Sequence, residues 1–438
     1  MTSASSSDLL KNLFNALPDS ATGGDLGNAY YVNRTENAPD TDPVKNLLRF
    51  IDWSPACNES YLFSGLRGAG KTTELNRLVA ELRQQGIAAY YCDVSTYLNL
   101  HDPKLSLPEL LMAALAGLSD AVRRELGHDS LSDSIWQRTK RLFSSDVQLK
   151  PSITVGAVKV EATLQENPDF RKALNTAAQS SNSFYEQAAA FADEVASLIK
   201  TKTNCQKIVL VVDSLERLSA PSGEEKELFN SLKQVFFIDP QRLRFSSLAV
   251  VYSAPPYLHA VLPNVNSGFS QCVSLPNFKV MQRPQPETPP ERHNHGIDQM
   301  LTILERRFPD WRKVLSEAVL KELAWLSGGN VRRYFRLVRG VALKAALSQV
   351  ALPIDDVQAD PVTHAISDER QPLQWLNAED RRWLQFYRSD SQSAAAHIND
   401  LNKDLPSIIR LFDHSLVLDY RNGEVWYQVP PLVHSLLA

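Results

Sequence analysis

The sequence predicts an α/β fold: a parallel sheet covered on both faces by helices, followed by a smaller helical region and a C-terminal helix–hairpin segment. Three observations predict it. Strand-like and helix-like segments alternate from residue 44 onward. The strands are continuous aliphatic runs, as in IVLVVD (208–213), which is what a sheet buried on both faces requires. Beyond a Pro-rich stretch at 283–296 the apolar spacing turns helical, until a hairpin signal at Asn422-Gly423.

Composition narrows the class. The chain has 438 residues, 43% apolar and 22% charged, an ordinary globular balance with room for roughly two to four domains. A net charge of −4 provides no global basic field toward nucleic acid or an anionic membrane. The apolar runs are too short to span a bilayer, and the first residues lack the basic and apolar regions of a secretory signal. Cys57, Cys92, Cys205 and Cys272 lie far apart, with no metal-ligand spacing. A cytoplasmic setting is therefore expected.

Residues 1–27 read as a tail with one amphipathic helix, capped by Ser7 or Asp8 and carrying Leu9, Leu10, Leu13, Phe14 and Leu17 on one face. That face docks either on the chain's own core or on a partner. A core domain follows at 28–282. In it VKNLLRFI (44–51) reads as a helix, SYLFSG (60–65) as a buried strand, and KTTELNRLVAELRQQG (71–86) as a helix ended by Gly86. AAYYCDV (88–94), IVLVVD (208–213), SLAVVYSA (247–254) and QCVSLP (271–276) supply the remaining strands. Lys71 and Asp213 are 142 positions apart, more than one strand and two helices need. The surplus, about 124–185, reads as an insertion with a hairpin at 147–164 and a helix over DFRKALNTAA. The stretch 283–296 reads as a linker. Three helices are expected in a lid at 297–350 (DQMLTILERRF, WRKVLSEAVLKELAWLSGG and NVRRYFRLVRGVALKAAL), then an acidic linker at 351–370. Residues 371–438 read helix, helix, hairpin, helix, with DLPSIIRLF (404–412) capped by Asp404: the order of a winged helix.

The chemistry begins at Tyr61–Leu78, YLFSGLRGAGKTTELNRL. Gly65, Gly70, Lys71 and Thr72 satisfy G-x-x-x-x-G-K-[ST], and the motif follows a strand and opens a helix, the context that separates a P-loop from a chance Gly-rich turn. Gly65, Arg67, Gly68, Ala69, Gly70, Lys71, Thr72 and Thr73 are the nucleotide-binding set. The glycines let backbone N–H groups converge on a β-phosphate, with the positive end of the next helix behind them. Lys71 bridges the β- and γ-phosphates and the Thr72 hydroxyl takes Mg²⁺. A P-loop needs a second carboxylate for the metal at the end of a buried strand, and Asp213 ends five aliphatic residues. Glu216, three positions on, is the candidate to orient or deprotonate the attacking water; a surface glutamate beside Arg217 would look the same. Ser253 ends the strand expected between the two phosphate-side strands. It either senses the γ-phosphate or is a plain strand-end serine. In SGGNVRRYF (327–335), Arg332 or Arg333 opens the third lid helix and can reach phosphate from the lid, or is simply a solvated helix start.

With these pieces in order, roughly residues 28–438 apart from the insertion resemble the AAA+-type P-loop ATPases, among them the STAND and KAP-like branches and the origin-recognition initiators. The resemblance implies ATP and Mg²⁺ as cofactors, a helical lid and a C-terminal winged-helix domain. It implies that YYVNR (30–34) packs on the adenine, through Tyr31, Val32 and Arg34. It aligns Glu216 with a second Walker B acid, and Arg332 with the second-sensor arginine. Two departures count against fast ring-motor turnover: Ser214 stands directly after Asp213, and no Arg or Lys occurs from Phe245 to Phe278, where an arginine finger is usual.

Residues 371–438 hold six basic and eight acidic residues, a net of −2, where a DNA module concentrates Lys and Arg. Contact with a protein partner is expected in preference to DNA. The sequence thus points to a Mg·ATP-binding switch ATPase with slow hydrolysis, able to form homo-oligomers or to control a separate effector chain, in a setting such as bacterial defence or signalling. A DNA-loading initiator or transposition-type ATPase and a non-hydrolysing ATP-bound scaffold are the alternatives, with a metabolite kinase behind them.

Overall fold

The computed structural model describes residues 6–18, 29–35, 41–127, 164, 168–180, 182–262, 265–284, 290–389, 397–398, 400–422 and 424–437. Of the expected hairpin at 147–164 only residue 164 is described, and the turn residue Gly423 lies outside the described residues. The elements, in chain order, are α1 (Ser6–Ala16), α2 (Pro43–Trp53), β1 (Ser60–Gly65), α3 (Lys71–Gln84), β2 (Ala88–Asp93) and α4 (Leu107–Leu126). There follow α5 (Pro168–Ser180), α6 (Ser183–Thr203), β3 (Ile208–Asp213), α7 (Glu225–Lys233), β4 (Ala249–Ala254), α8 (Tyr257–Val261) and β5 (Gln271–Leu275). The remainder is α9 (Asn294–Arg307), α10 (Glu317–Leu326), α11 (Val331–Ser348), α12 (Asp360–Arg370), α13 (Ala378–Ser389), α14 (Leu401–Asp413), β6 (Leu418–Asn422), β7 (Glu424–Gln428) and α15 (Pro431–His434).

Two compact units result. One comprises residues 43–64 and 74–274, the other residues 1–42, 65–73 and 275–438. The first unit is built on the sheet, whose strand order is β2-β3-β4-β1-β5, with β2–β3, β3–β4 and β1–β4 pairing in parallel. β4 therefore separates β3 from β1, as the placement of Ser253 anticipated. Every residue of β1, β3 and β4 is buried, and this explains the unbroken aliphatic run Ile208–Val212 of β3. Each fully buried Val or Leu contributes on the order of 1.5–3 kcal/mol of transfer free energy. α3 packs through Leu75, Leu78, Val79 and Leu82. α4 is buried along most of its length and packs on β2, α5 and α6. Its start is a complete capping box, in which Ser106 accepts from the Glu109 amide and Glu109 reaches back to the Ser106 amide. The same Glu109 pairs with Arg171 at 2.9 Å and so fastens α5.

In the second unit α1 lies along α11, with Leu10, Leu13 and Leu17 buried and the Arg339 guanidinium 4.2 Å over the Phe14 ring. The amphipathic N-terminal helix thus docks on the chain itself. It starts at Ser6, so Ser7 and Asp8 lie inside its first turn rather than at its cap.

Four boundaries differ from the sequence expectation, each for a local reason. α9 begins inside the Pro-rich stretch, because the His293 side chain accepts from the Gly296 amide and caps the helix there. The long helix expected over 311–329 divides: Ser316 caps α10, and Leu315 forms a parallel bridge with Ile354. The acidic stretch expected as a linker contains α12, which packs on α11 and buries Val362 and Ala365. α14 begins at Leu401, so Asp404 is within it; its carboxylate accepts from the Asp400 amide at 3.0 Å.

The turn between α10 and α11 has no room for a side chain at Gly329. Gly329 has φ +79°, and a β-carbon there would lie 1.8 Å from the Phe278 carbonyl oxygen. Gly329→Ala is expected to lower stability by about 3 kcal/mol, measured as a fall in the urea midpoint.

Candidate functional site

The candidate residues fall into two groups, one in each unit. In the sheet unit they gather at the carboxyl ends of β3 and β4. Asp213 is fully buried and both of its oxygens are engaged. Oδ1 accepts from the Ser214 amide at 2.7 Å, and Oδ2 accepts from the Tyr91 hydroxyl at 2.7 Å. Tyr91 comes from β2, one strand over. Burial, and after it the Asp213 carboxylate, hold its phenol well above the usual range, so it is the donor of this bond. A carboxylate is a hard oxygen donor of the kind that suits Mg²⁺.

The turn after β3 is held from β4. Ser214 has φ +78°, an unusual conformation for a residue other than glycine, and the next amide, that of Leu215, donates to Ser253 Oγ at 2.9 Å. Ser253 therefore fixes the Ser214–Glu216 turn, and its own O–H remains a donor in addition to accepting this bond. Glu216 is 5% exposed and is not the surface glutamate that the sequence equally allowed. Tyr91 was not legible as a site residue. Its strand follows from AAYYCD, but the register that sets Tyr91 opposite Val211 and Asp93 opposite Asp213 has no local signature.

In the other unit the P-loop meets the N-terminal arm, the start of α11 and the C-terminal segment. Lys71 is 3% exposed, and its ammonium donates to the carbonyls of Gly65 at 2.6 Å and Leu66 at 2.9 Å. Thr72 and Thr73 follow in the first turn of α3, each half-buried. Gly68 has φ +79°, and a β-carbon there would lie 2.6 Å from Arg332 Cβ and 2.7 Å from Asn330 Oδ1. Both the backbone angle and the crowding require glycine. Gly70 has φ +101°. The loop carbonyls are held from outside: Arg67 O accepts from Asn330 Nδ2 at 2.8 Å and Ser415 Oγ at 3.1 Å, Gly68 O from the Arg332 amide at 3.3 Å, and Ala69 O from Arg34 Nη2 at 2.8 Å. Arg34 also donates to Pro276 O at 2.6 Å and lies 4.4 Å over the Phe278 ring.

Tyr31 and Val32, just upstream of Arg34, line a cavity of about 440 Å³ together with Asn33 and α9 residues His295, Asp298, Gln299, Thr302 and Arg306. Gln299 fastens this wall by donating to Asn33 O at 3.1 Å, and Arg306 donates to Tyr31 O. The segment 31–34 therefore runs from the cavity wall to the P-loop backbone. Tyr31, Val32 and Arg34 were expected at the base; the α9 residues were not expected in this wall, because α9 begins four positions before the expected Asp298.

Of the two arginines that open α11, only Arg332 touches the P-loop, through its amide. Arg333 turns to the C-terminal segment and donates to the carbonyls of Ser415 at 2.9 Å and His414 at 3.0 Å. Burial pulls its guanidinium down to about 10, opposed by the Glu369 carboxylate 3.9 Å away, and it stays charged near neutral pH. The rest of the basic run is also engaged, Arg336 with Glu369 at 3.0 Å and Arg339 with Phe14.

No protein-family model matches the chain, and no curated protein matches it. Solved structures similar to it include the ORC2 protein of Aeropyrum pernix, at 13% identity over 90% of this chain and 91% of that one, TM-score 0.40. Cdc6p of Pyrobaculum aerophilum is 12% identical over 94% of each chain, TM-score 0.39. The RuvB Holliday junction branch migration motor of Thermotoga maritima is 14% identical over 91% of this chain and 94% of that one, TM-score 0.35. Likenesses this remote assign no activity. Among the described residues no helix is long and apolar enough to cross a membrane.

Arg333→Ala leaves the buried Ser415 carbonyl and the partly buried His414 carbonyl without this donor. It is expected to lower stability by about 3 kcal/mol, read as an earlier urea transition of the C-terminal segment monitored by proteolysis between residues 371 and 438.

Proposed function

We propose that the chain is a Mg·ATP-binding switch ATPase of the AAA+ type, with residues 297–350 as a helical lid and 371–438 as a winged-helix domain. The observation that carries this reading is the P-loop: a G-x-x-x-x-G-K-T loop, strand before and helix after, with glycines at the positive-φ positions and its carbonyls turned onto outside donors. In such a site Lys71 binds the β- and γ-phosphates, while Thr72 and Asp213 hold Mg²⁺, which supplies charge neutralisation on the phosphoryl oxygens. Asp213 is oriented by Tyr91 and Ser214, Glu216 positions or deprotonates water, and Ser253 keeps the Glu216 turn in place. The cavity beside Tyr31 and Val32 takes the base. ADP remains after hydrolysis. Ser214 next to Asp213, and a 245–278 segment without Arg or Lys, favour slow turnover and so a nucleotide-set state over a motor.

Protein contact is favoured over DNA by what the C-terminal basic residues do. Arg382 binds Glu379 and Asp404, Arg410 binds Asp380 at 2.8 Å, Lys403 lies 3.6 Å from Glu379, and Arg381 donates to Leu436 O. Side chains satisfied internally are poor donors to a phosphate backbone. The partner in this reading is a second copy of the chain or a separate effector, as in a bacterial defence or signalling system.

Lys71→Ala is expected to abolish ATP binding in a titration. Glu216→Gln keeps binding within about twofold and cuts phosphate release by about 100-fold or more. Phosphate release unchanged in Glu216→Gln would favour the non-hydrolysing scaffold. A switch further predicts that the native mass, measured by light scattering alone and with a candidate partner, changes on adding Mg·ATP; an unchanged mass together with salt-sensitive duplex-DNA binding would favour the initiator-type alternative.

A further inference from the structure

A trans peptide is planar, with its C=O and N–H pointing in opposite directions. A donor that holds one carbonyl therefore aims the following amide the other way. In the P-loop the carbonyls of Arg67, Gly68 and Ala69 are held by Asn330 and Ser415, by the Arg332 amide and by Arg34 respectively. The amide of Ala69 closes the loop internally on Leu66 O at 3.2 Å. The amides of Gly68 and Gly70 face away from the held carbonyls, on the side where a phosphate binds.

We infer that Ser415 and Asn330 are positioning residues for the phosphate-binding amide of Gly68, so that docking of the C-terminal segment on Arg67 O sets nucleotide affinity. This rests on the nucleotide reading above and adds the device that couples the site to the C-terminal region. Ser415 is well fixed for the role. It follows α14 with φ +53°, its carbonyl is held by Arg333 at 2.9 Å, and Asp413, two residues earlier, lies 3.9 Å from the Arg67 guanidinium. Asn330 has two duties: its Oδ1 caps α11 by accepting from the Arg333 amide at 3.1 Å, while its Nδ2 reaches the P-loop. Anything that draws residues 413–415 off the loop removes one of the two donors on Arg67 O and loosens the amide behind it. By linkage, a bound phosphate strengthens the docking of the C-terminal segment by the same factor.

Two variants separate this role from plain structural support. Ser415→Gly removes the hydroxyl but suits the left-handed backbone better than serine does, so the fold is kept. Asn330→Asp keeps a good helix cap and replaces the donor with an acceptor facing the Arg67 carbonyl. The full-length chain is titrated with a fluorescent ATP analogue and with ADP in EDTA, and its melting temperature is recorded. The expected result is weaker binding of both nucleotides, about three- to tenfold for Ser415→Gly and about tenfold for Asn330→Asp, with the melting temperature of the Ser415→Gly protein unchanged or raised. Wild-type binding retained in both variants overturns this inference alone. A wild-type chain that binds neither nucleotide overturns the nucleotide reading and this inference with it.

Discussion

A loop that grips phosphate with its amides has to place its carbonyls on something other than the ligand. That constraint organises the P-loop unit. Lys71 takes the carbonyls at the start of the loop, while the N-terminal arm, the start of α11 and the C-terminal segment supply donors for the three that follow. An unmet buried carbonyl costs about 1–3 kcal/mol, so these partners are required by the loop's own polar groups before any ligand enters. The consequence is architectural. Side chains hundreds of residues after the loop, on Asn330 and Ser415, become part of its geometry.

The sheet unit meets a different constraint, that of satisfying and orienting a carboxylate at the end of a buried strand. Two donors on Asp213 do this, one from the following amide and one from the neighbouring strand. The positive φ of Ser214 is the local cost of turning the chain sharply enough for Glu216 to fold back as a buried side chain. Ser253 stabilises that turn by accepting an otherwise buried amide. Its place in the sheet, on the strand separating β1 from β3, makes it the natural support for such a turn whether or not it also meets a phosphate.

How much of this the sequence carries depends on distance along the chain. The P-loop, the strands and Asp213 are written in runs of five to ten neighbouring residues, where period and glycine placement are direct consequences of backbone geometry. Arg34 was reached through resemblance, and the structure gives its contact a form that spacing could not: two carbonyls, 35 and 242 positions away. Ser415, 348 positions from Arg67, has no local mark at all. Composition misled in the acidic stretch at 351–370, where Asp and Pro read as linker although Val362 and Ala365 bury against α11. The Pro-rich stretch misled likewise, because a histidine cap at His293 is rarer than the Ser, Thr, Asp or Asn for which helix starts are searched.

The account turns on a triphosphate being held by backbone amides whose carbonyls the rest of the chain has turned away. A crystal structure of the full chain grown with Mg²⁺ and a non-hydrolysable ATP analogue tests this most directly. The β-phosphate is predicted within hydrogen-bonding distance of the amides of Gly68, Gly70 and Lys71, with Ser415 and Asn330 still on Arg67 O and Mg²⁺ on Thr72 and Asp213. Analogue bound elsewhere, or a filled loop in which Ser415 and Asn330 have left the Arg67 carbonyl, would contradict it.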